Sequence, residues 1–185
     1  RTLCTSINDQ VIHGIPAKGV ILKDGDILSI DVGAVVEGFY GDAAMTVPVG
    51  KISAKAEKLI RITEEALALG IEQARPGKRL FDISAAIQEH VEASGYSVVR
   101  EFVGHGIGRS LHEDPQVPNF GERGRGLRLL SGMVLAIEPM VNMGGSATVV
   151  KEDNWTAVTA DGSLSAHVEH TVAILEDGPR VLTKR

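Results

Sequence analysis

Four acidic residues, Asp31, Asp42, Glu138 and Glu169, stand inside or beside strand-like apolar runs, where an isolated carboxylate is out of place. Val134-Leu135-Ala136-Ile137 precedes Glu138, and Val168, Val172 and Ile174 flank Glu169. A buried carboxylate needs a cationic partner or a metal ion. Salt bridges are one reading, but Lys and Arg are few near these positions. Six histidines offer nitrogen donors. His105 lies in Gly104-His105-Gly106-Ile107-Gly108, where glycines let the backbone approach a site closely. His13 lies in His13-Gly14-Ile15-Pro16 and His112 in Leu111-His112-Glu113-Asp114-Pro115. His90 and His170 read as hydrogen-bonded structural residues, whereas His167, two residues before Glu169, stays open. Carboxylates joined by imidazole nitrogens make a mostly hard donor set, suited to divalent Mn, Fe, Co or Zn.

These groups are far apart in sequence, so the elements must bring them together. Gly25–Gly33 and Tyr40–Val49 read as strands with a turn near Glu37-Gly38. If they form a hairpin centred between Val36 and Glu37, Asp31 and Asp42 face each other, a repulsive pair that a multivalent cation would relieve. If the register slips by one residue, each acid points into water. Leu3–Ile15 reads as two short strands around Asn8-Asp9. Apolar residues at helical spacing predict helices over Ser53–Ala74, with Ser53 as N-cap and Pro76-Gly77 as stop, and over about Leu80–Ser94, ended by Gly95. Further strand-like runs are Ser97–Val103, Met133–Ile137, Ala147–Val150, Trp155–Thr159 and Ser165–Leu175, with a Gly- and Arg-rich loop at Asn119–Arg128. Gly25-x-x-Leu28-x-Ile30-Asp31 recurs as Gly132-x-x-Leu135-x-Ile137-Glu138, and each copy is followed by a second acidic strand, Asp42–Val47 or Glu169–Ile174. The repeat suggests two half-domains about a pseudo-twofold axis, each offering two acids to the centre.

At 185 residues the chain is long enough for one domain, residues 1–185, with a sizeable core. No apolar run approaches the ~18 residues of a membrane span. A net charge of -5 disfavours binding DNA through bulk charge. Arg123, Arg125 and Arg128 could touch ribosomal RNA transiently, but the charge favours a solvated loop. Cys4 is the only cysteine, which excludes an intrachain disulfide and allows a reducing, cytoplasmic setting.

Taken in order, His13-Gly14-Ile15-Pro16, Asp31 with Asp42, Gly104–Gly108, Ile137-Glu138-Pro139-Met140 and Glu169-His170-Thr171 resemble the type I methionine aminopeptidases across nearly the whole chain. The resemblance implies an α/β (α+β) pita-bread fold: two pseudo-twofold-related halves, with a curved antiparallel sheet covered by helices, around two divalent metal ions. By resemblance Asp31, Asp42, His105, Glu138 and Glu169 are the ligands, with Asp42 and Glu169 bridging. A bridging hydroxide is then expected to attack the carbonyl after the N-terminal methionine of a peptide or nascent chain. Glu138 would relay the proton, His112 would stabilise the oxyanion or the scissile amide, and His13 would position substrate. Cys4, Phe102, Leu111 and Trp155 match the methionine pocket. A monomer is expected. Leu111 stands where the family often has an aromatic, and His167 where it usually has glutamine. The family's N-terminal segment has no counterpart, so the chain reads as a mature form or a fragment. Two other readings share the fold. A proline-directed peptidase (aminopeptidase P or prolidase) usually has an Arg shortly after the second Asp and Gly-Tyr after Glu-Pro, where this chain has Ala43-Ala44-Met45 and Met140-Val141. A non-catalytic binding protein of this fold typically loses ligands, and all five are present here.

Overall fold

The computed structural model describes residues 3–184. The strands of the first half are β1 (Leu3–Ile7), β2 (Gln10–Ile12), β3 (Ile27–Val36) and β4 (Phe39–Pro48). Two helices follow, α1 (Ala54–Gln73) and α2 (Leu80–Ala93). Then come β5 (Ser97–Val98), β6 (Gly104–Gly106), β7 (Glu113–Val117), β8 (Val134–Ile137) and β9 (Met140–Asn142). The chain closes with β10 (Thr148–Val150), β11 (Ala157–Thr159), β12 (Ser165–His167), β13 (Glu169–Leu175) and β14 (Gly178–Val181).

Both helices form where the apolar stripes predict them. Ser53 caps α1, its side chain accepting from Ala56 N at 3.2 Å. Leu59, Ile83, Ile87 and Val91 are fully buried between the helices and the sheet. Each such side chain contributes on the order of 1.5–3 kcal/mol by leaving water. Gly70 lets the helices approach closely, since a Cβ there would sit 2.9 Å from Ile87. No helix among the described residues is long and apolar enough to cross a membrane.

The main sheet is antiparallel, in the order β1-β3-β4-β13-β8-β6-β7, with β14 on β13. Glu37 (φ 52) and Gly38 (φ 80) form the two-residue turn that joins β3 to β4. This turn sets a register two residues from the predicted one. Asp31 stands opposite Ala44 and Asp42 opposite Gly33, so the two acids are diagonal neighbours rather than a facing pair. A shift of two preserves the alternation of faces, and both side chains still point to the same side.

The predicted strand Ser165–Leu175 is broken. β8 pairs β13 through Ile137 and His170, and β9 pairs β12 through Met140 and His167, in one continuous register. The ribbon is interrupted where Pro139 offers no N–H, and Val168 N donates to the Pro139 carbonyl at 3.4 Å. Ser97–Val103 is likewise strand only at Ser97–Val98. The sequence pattern does not reveal four strands, β6, β7, β9 and β14, because three to five residues carry little readable alternation.

The pseudo-twofold symmetry is real, with a different alignment from the sequence repeat. Gly25 (φ 100) and Gly132 (φ 93) share a left-handed turn, and Asp31 matches Glu138. Asp31 opposes Ala44, and Glu138, one residue beyond the Ile137–His170 pair, falls opposite Glu169. Ala44 therefore matches Glu169, and these two pair with each other across β4 and β13, which puts the axis through them. Asp42 then corresponds to His167, not to Glu169. The hydrogen bonds agree. Thr171 Oγ1 accepts from Asp42 N (2.9 Å) and donates to Asp42 O (2.8 Å). Thr46 Oγ1 accepts from His167 N (3.0 Å) and donates to His167 O (2.8 Å).

Candidate metal centre

The expected ligands lie on one face of the sheet, in two adjacent cross-strand rows. The first row runs Cys4, Asp31, Ala44, Glu169, with Glu138 beside it at the end of β8. The second runs Gly33, Asp42, Thr171, Ala136, His105. Small residues alternate with the ligands, leaving space over the sheet. A Cβ on Gly33 would meet Leu111 at 3.6 Å and Asp42 Oδ1 at 3.8 Å.

Asp42 (8 % exposed), His105 (8 %) and Glu169 (2 %) are buried. One ligand atom each from Asp42, His105 and Glu169 lies within 4.8 Å of the others, as does one each from Glu138, His167 and Glu169. Asp31 sits beside them as the diagonal cross-strand neighbour of Asp42. Among the described residues no Lys or Arg pairs with any of the four acids, whose only ionic neighbours are imidazoles. His105 Nδ1 is 2.8 Å from the Gly106 carbonyl, which fixes the proton there and leaves Nε2 as a lone pair facing Glu138. Asn119, buried in the predicted loop, donates to the Glu138 carbonyl at 3.0 Å. Nothing in its sequence context signalled that role.

The electrostatics favour positive charge among these carboxylates. Burial, then neighbouring Asp42 and Glu138, push Asp31 up to about 6 despite the opposing His167. Burial, then Glu138, raises Asp42. Burial, then Glu138, Asp42 and Asp31, raises Glu169 well above the carboxylate range. Glu169 Oε1 and His167 Nε2 are buried without a hydrogen-bond partner. Oxygen and nitrogen donors with orphaned atoms turned to a common point fit divalent ions.

The other predicted residues rim this centre. The His112 ring lies edge-on to His105, centroids 4.4 Å apart. His13 stacks on Trp155 (4.6 Å) and meets Phe102 edge-on (6.1 Å). His13 holds φ 62, a conformation that costs a non-glycine residue on the order of 1–3 kcal/mol. Thr156 Oγ1 donates to Asp153 (2.6 Å) and lies 3.3 Å from the His13 carbonyl, while Asp153 also accepts from Trp155 N (2.9 Å). Burial holds His13 below the usual histidine range. His90 and His170 are the structural residues expected, on Glu65 and Thr183, each at 2.9 Å. Arg123 is tied to Glu89 by two hydrogen bonds, 2.8 and 2.6 Å.

Residues 1–176 match the model of metallopeptidase family M24, and the chain belongs to that family. Within it, the similar relatives are methionine aminopeptidases. The enzyme of Clostridium perfringens is 63% identical over 182 residues, 98% of this chain and 73% of its own length. Methionine aminopeptidase 1 of Bacillus subtilis is 55% identical, covering 99% of this chain and 73% of its own. The crystal structure of methionine aminopeptidase from Thermotoga maritima superposes with TM-score 0.97 at 54% identity, over 99% of this chain and 74% of that one. The pita-bread fold is thereby confirmed. A prolidase from Pyrococcus horikoshii shares the fold alone, with TM-score 0.76 at 24% identity, over 100% of this chain and 48% of that one.

Proposed function

We propose that this chain is a metal-dependent hydrolase that removes the N-terminal methionine from peptides and nascent proteins. The observation that carries the reading is the convergence of four carboxylates and His105 with no Lys or Arg among them, in a chain 63% identical to a methionine aminopeptidase. Asp31, Asp42, His105, Glu138 and Glu169 would hold two divalent ions, Mn, Fe, Co or Zn according to supply. When bound, such ions supply Lewis acidity at the scissile carbonyl and hydroxide near neutral pH.

The chain's own residues do the rest. Glu138, between His105 Nε2 and His167 Nε2 at 3.5 Å each, takes a proton from the attacking water and passes it to the leaving amine. His112, exposed beside His105, donates a hydrogen bond to the oxyanion, worth a few kcal/mol, about 2.7–4, at comparable sites. Burial favours the uncharged form of His13, which would present a ring nitrogen to substrate. Trp155, Phe102, Cys4 and Leu111 provide the walls for a thioether side chain.

The test is methionine release from Met-Ala-Ser, with chelator and after adding back Mn or Co. Chelation should abolish release and the metals restore it. A panel of Met-Gly-x and x-Pro peptides separates the proline-directed alternative, and cleavage of x-Pro alone would favour it.

A further inference from the structure

We propose that His167 is itself a metal ligand, its Nε2 joining Glu138 and Glu169 on one ion, so that the centre carries two imidazoles instead of one. The inference rests on the metallopeptidase reading above and adds a residue to its site. Three observations support it independently.

The first is an unmet need. His167 is 2 % exposed and its Nε2 has no hydrogen-bond partner. A buried ring nitrogen left so costs on the order of 1–3 kcal/mol. The second is distance. Nε2 is 3.5 Å from Glu138 Oε2 and 4.0 Å from Glu169 Oε2, too far for good hydrogen bonds. Two atoms each ~2.1 Å from one ion at a tetrahedral angle lie about 3.4 Å apart. His105 Nε2 stands the same 3.5 Å from the other oxygen of Glu138. The third is symmetry. His167 occupies the position that the pseudo-twofold axis relates to Asp42, and Thr46 clamps its backbone as Thr171 clamps that of Asp42. Each half then supplies a first-strand acid, Asp31 or Glu138, and a second-strand donor, Asp42 or His167. Glu169 stands on the axis between them.

A second nitrogen donor shifts selectivity toward Co, Zn and Cu and away from Mn. The test compares wild type, H167Q and H167A. Circular dichroism and melting in chelator verify that each variant folds, and calorimetry then measures Co2+ and Mn2+ binding to each. Loss of an outer hydrogen-bond partner weakens a metal about 10–100-fold, so loss of a direct ligand should weaken Co2+ by about 100-fold or more in both variants, and Mn2+ by less. Free imidazole should restore Co2+ binding to H167A. Co2+ affinity in H167Q within about threefold of wild type would overturn the assignment. So would a defect in H167A that H167Q repairs, because an amide donor would then suffice. If neither variant folds, 15N-histidine NMR of wild type saturated with Zn2+ decides: two ring nitrogens shifted by direct metal coordination support His167, and one overturns it. Wild type that binds no Co2+ and releases no methionine overturns the metallopeptidase reading as well. Wild type that does both, with H167Q unchanged, sinks the His167 assignment alone.

Discussion

Glu169 is the residue on which the centre turns. It lies on the pseudo-symmetry axis, is 2 % exposed, and keeps Oε1 without a partner. Asp42 holds a comparable place one row away, diagonal to Asp31. Replacing either by alanine removes a candidate bridge between the ions. D42A and E169A should each lose methionine release by more than the ~100-fold that an outer partner typically costs, together with bound metal. Turnover on Met-Ala-Ser and metal analysis of the purified variants would check this, and normal activity in either would refute the bridging role. Trp155 acts more mildly. W155A removes the stacking partner of His13, worth about 0.5–1.5 kcal/mol, and should raise KM severalfold while leaving metal content unchanged.

Among the elements, β6 shows how glycine serves the site. A Cβ on Gly106 would collide with the backbone carbonyl of Asp114, and one on Gly104 with that of Ala136. Neither obstacle is a flexible side chain, so the strand itself would have to move. Gly106 also offers the carbonyl that fixes His105. G106A should therefore destabilise the protein by ~1–3 kcal/mol and weaken metal binding. Gly19 has nothing within 4 Å of a Cβ, and G19A should stay within about 0.5 kcal/mol of wild type. Urea unfolding of the two variants gives the comparison.

At the scale of the molecule, clustered acids make the metal-free protein sensitive to pH. Asp31 has its pKa raised to about 6 in the folded state, against 3.8 for an ordinary aspartate. Between those values the folded chain binds more protons than the unfolded one, so stability falls as pH rises. This contribution is complete below about 3.8 and gone above about 6. Glu169, also raised, acts in the same direction, whereas His13, lowered by burial, acts in the opposite one. In chelator, melting temperatures near pH 5 and pH 7 should therefore differ less for D31N than for wild type. Metal reverses the trend, since ions displace these protons and bind more tightly as pH rises. A D31N profile parallel to that of wild type would count against the raised Asp31 pKa.

The sequence alone determined what is local or chemically forced. Apolar periodicity gave α1 and α2, Glu37-Gly38 the hairpin turn, and acids set in apolar runs the need for cations. The ordered motifs gave the family. Tertiary structure decided what depends on pairing between distant strands. The β3–β4 register moved by two residues because turn geometry fixes pairing, and period-two patterning constrains only the face. The break at Pro139 was implicit in the sequence, yet its consequence needed the partner Val168. The alignment of the halves through Ala44 and Glu169 could be read only from β4 against β13. That pairing turned His167 from an open histidine into the counterpart of Asp42, because cross-strand neighbours are set by long-range hydrogen bonds that no stretch of sequence contains.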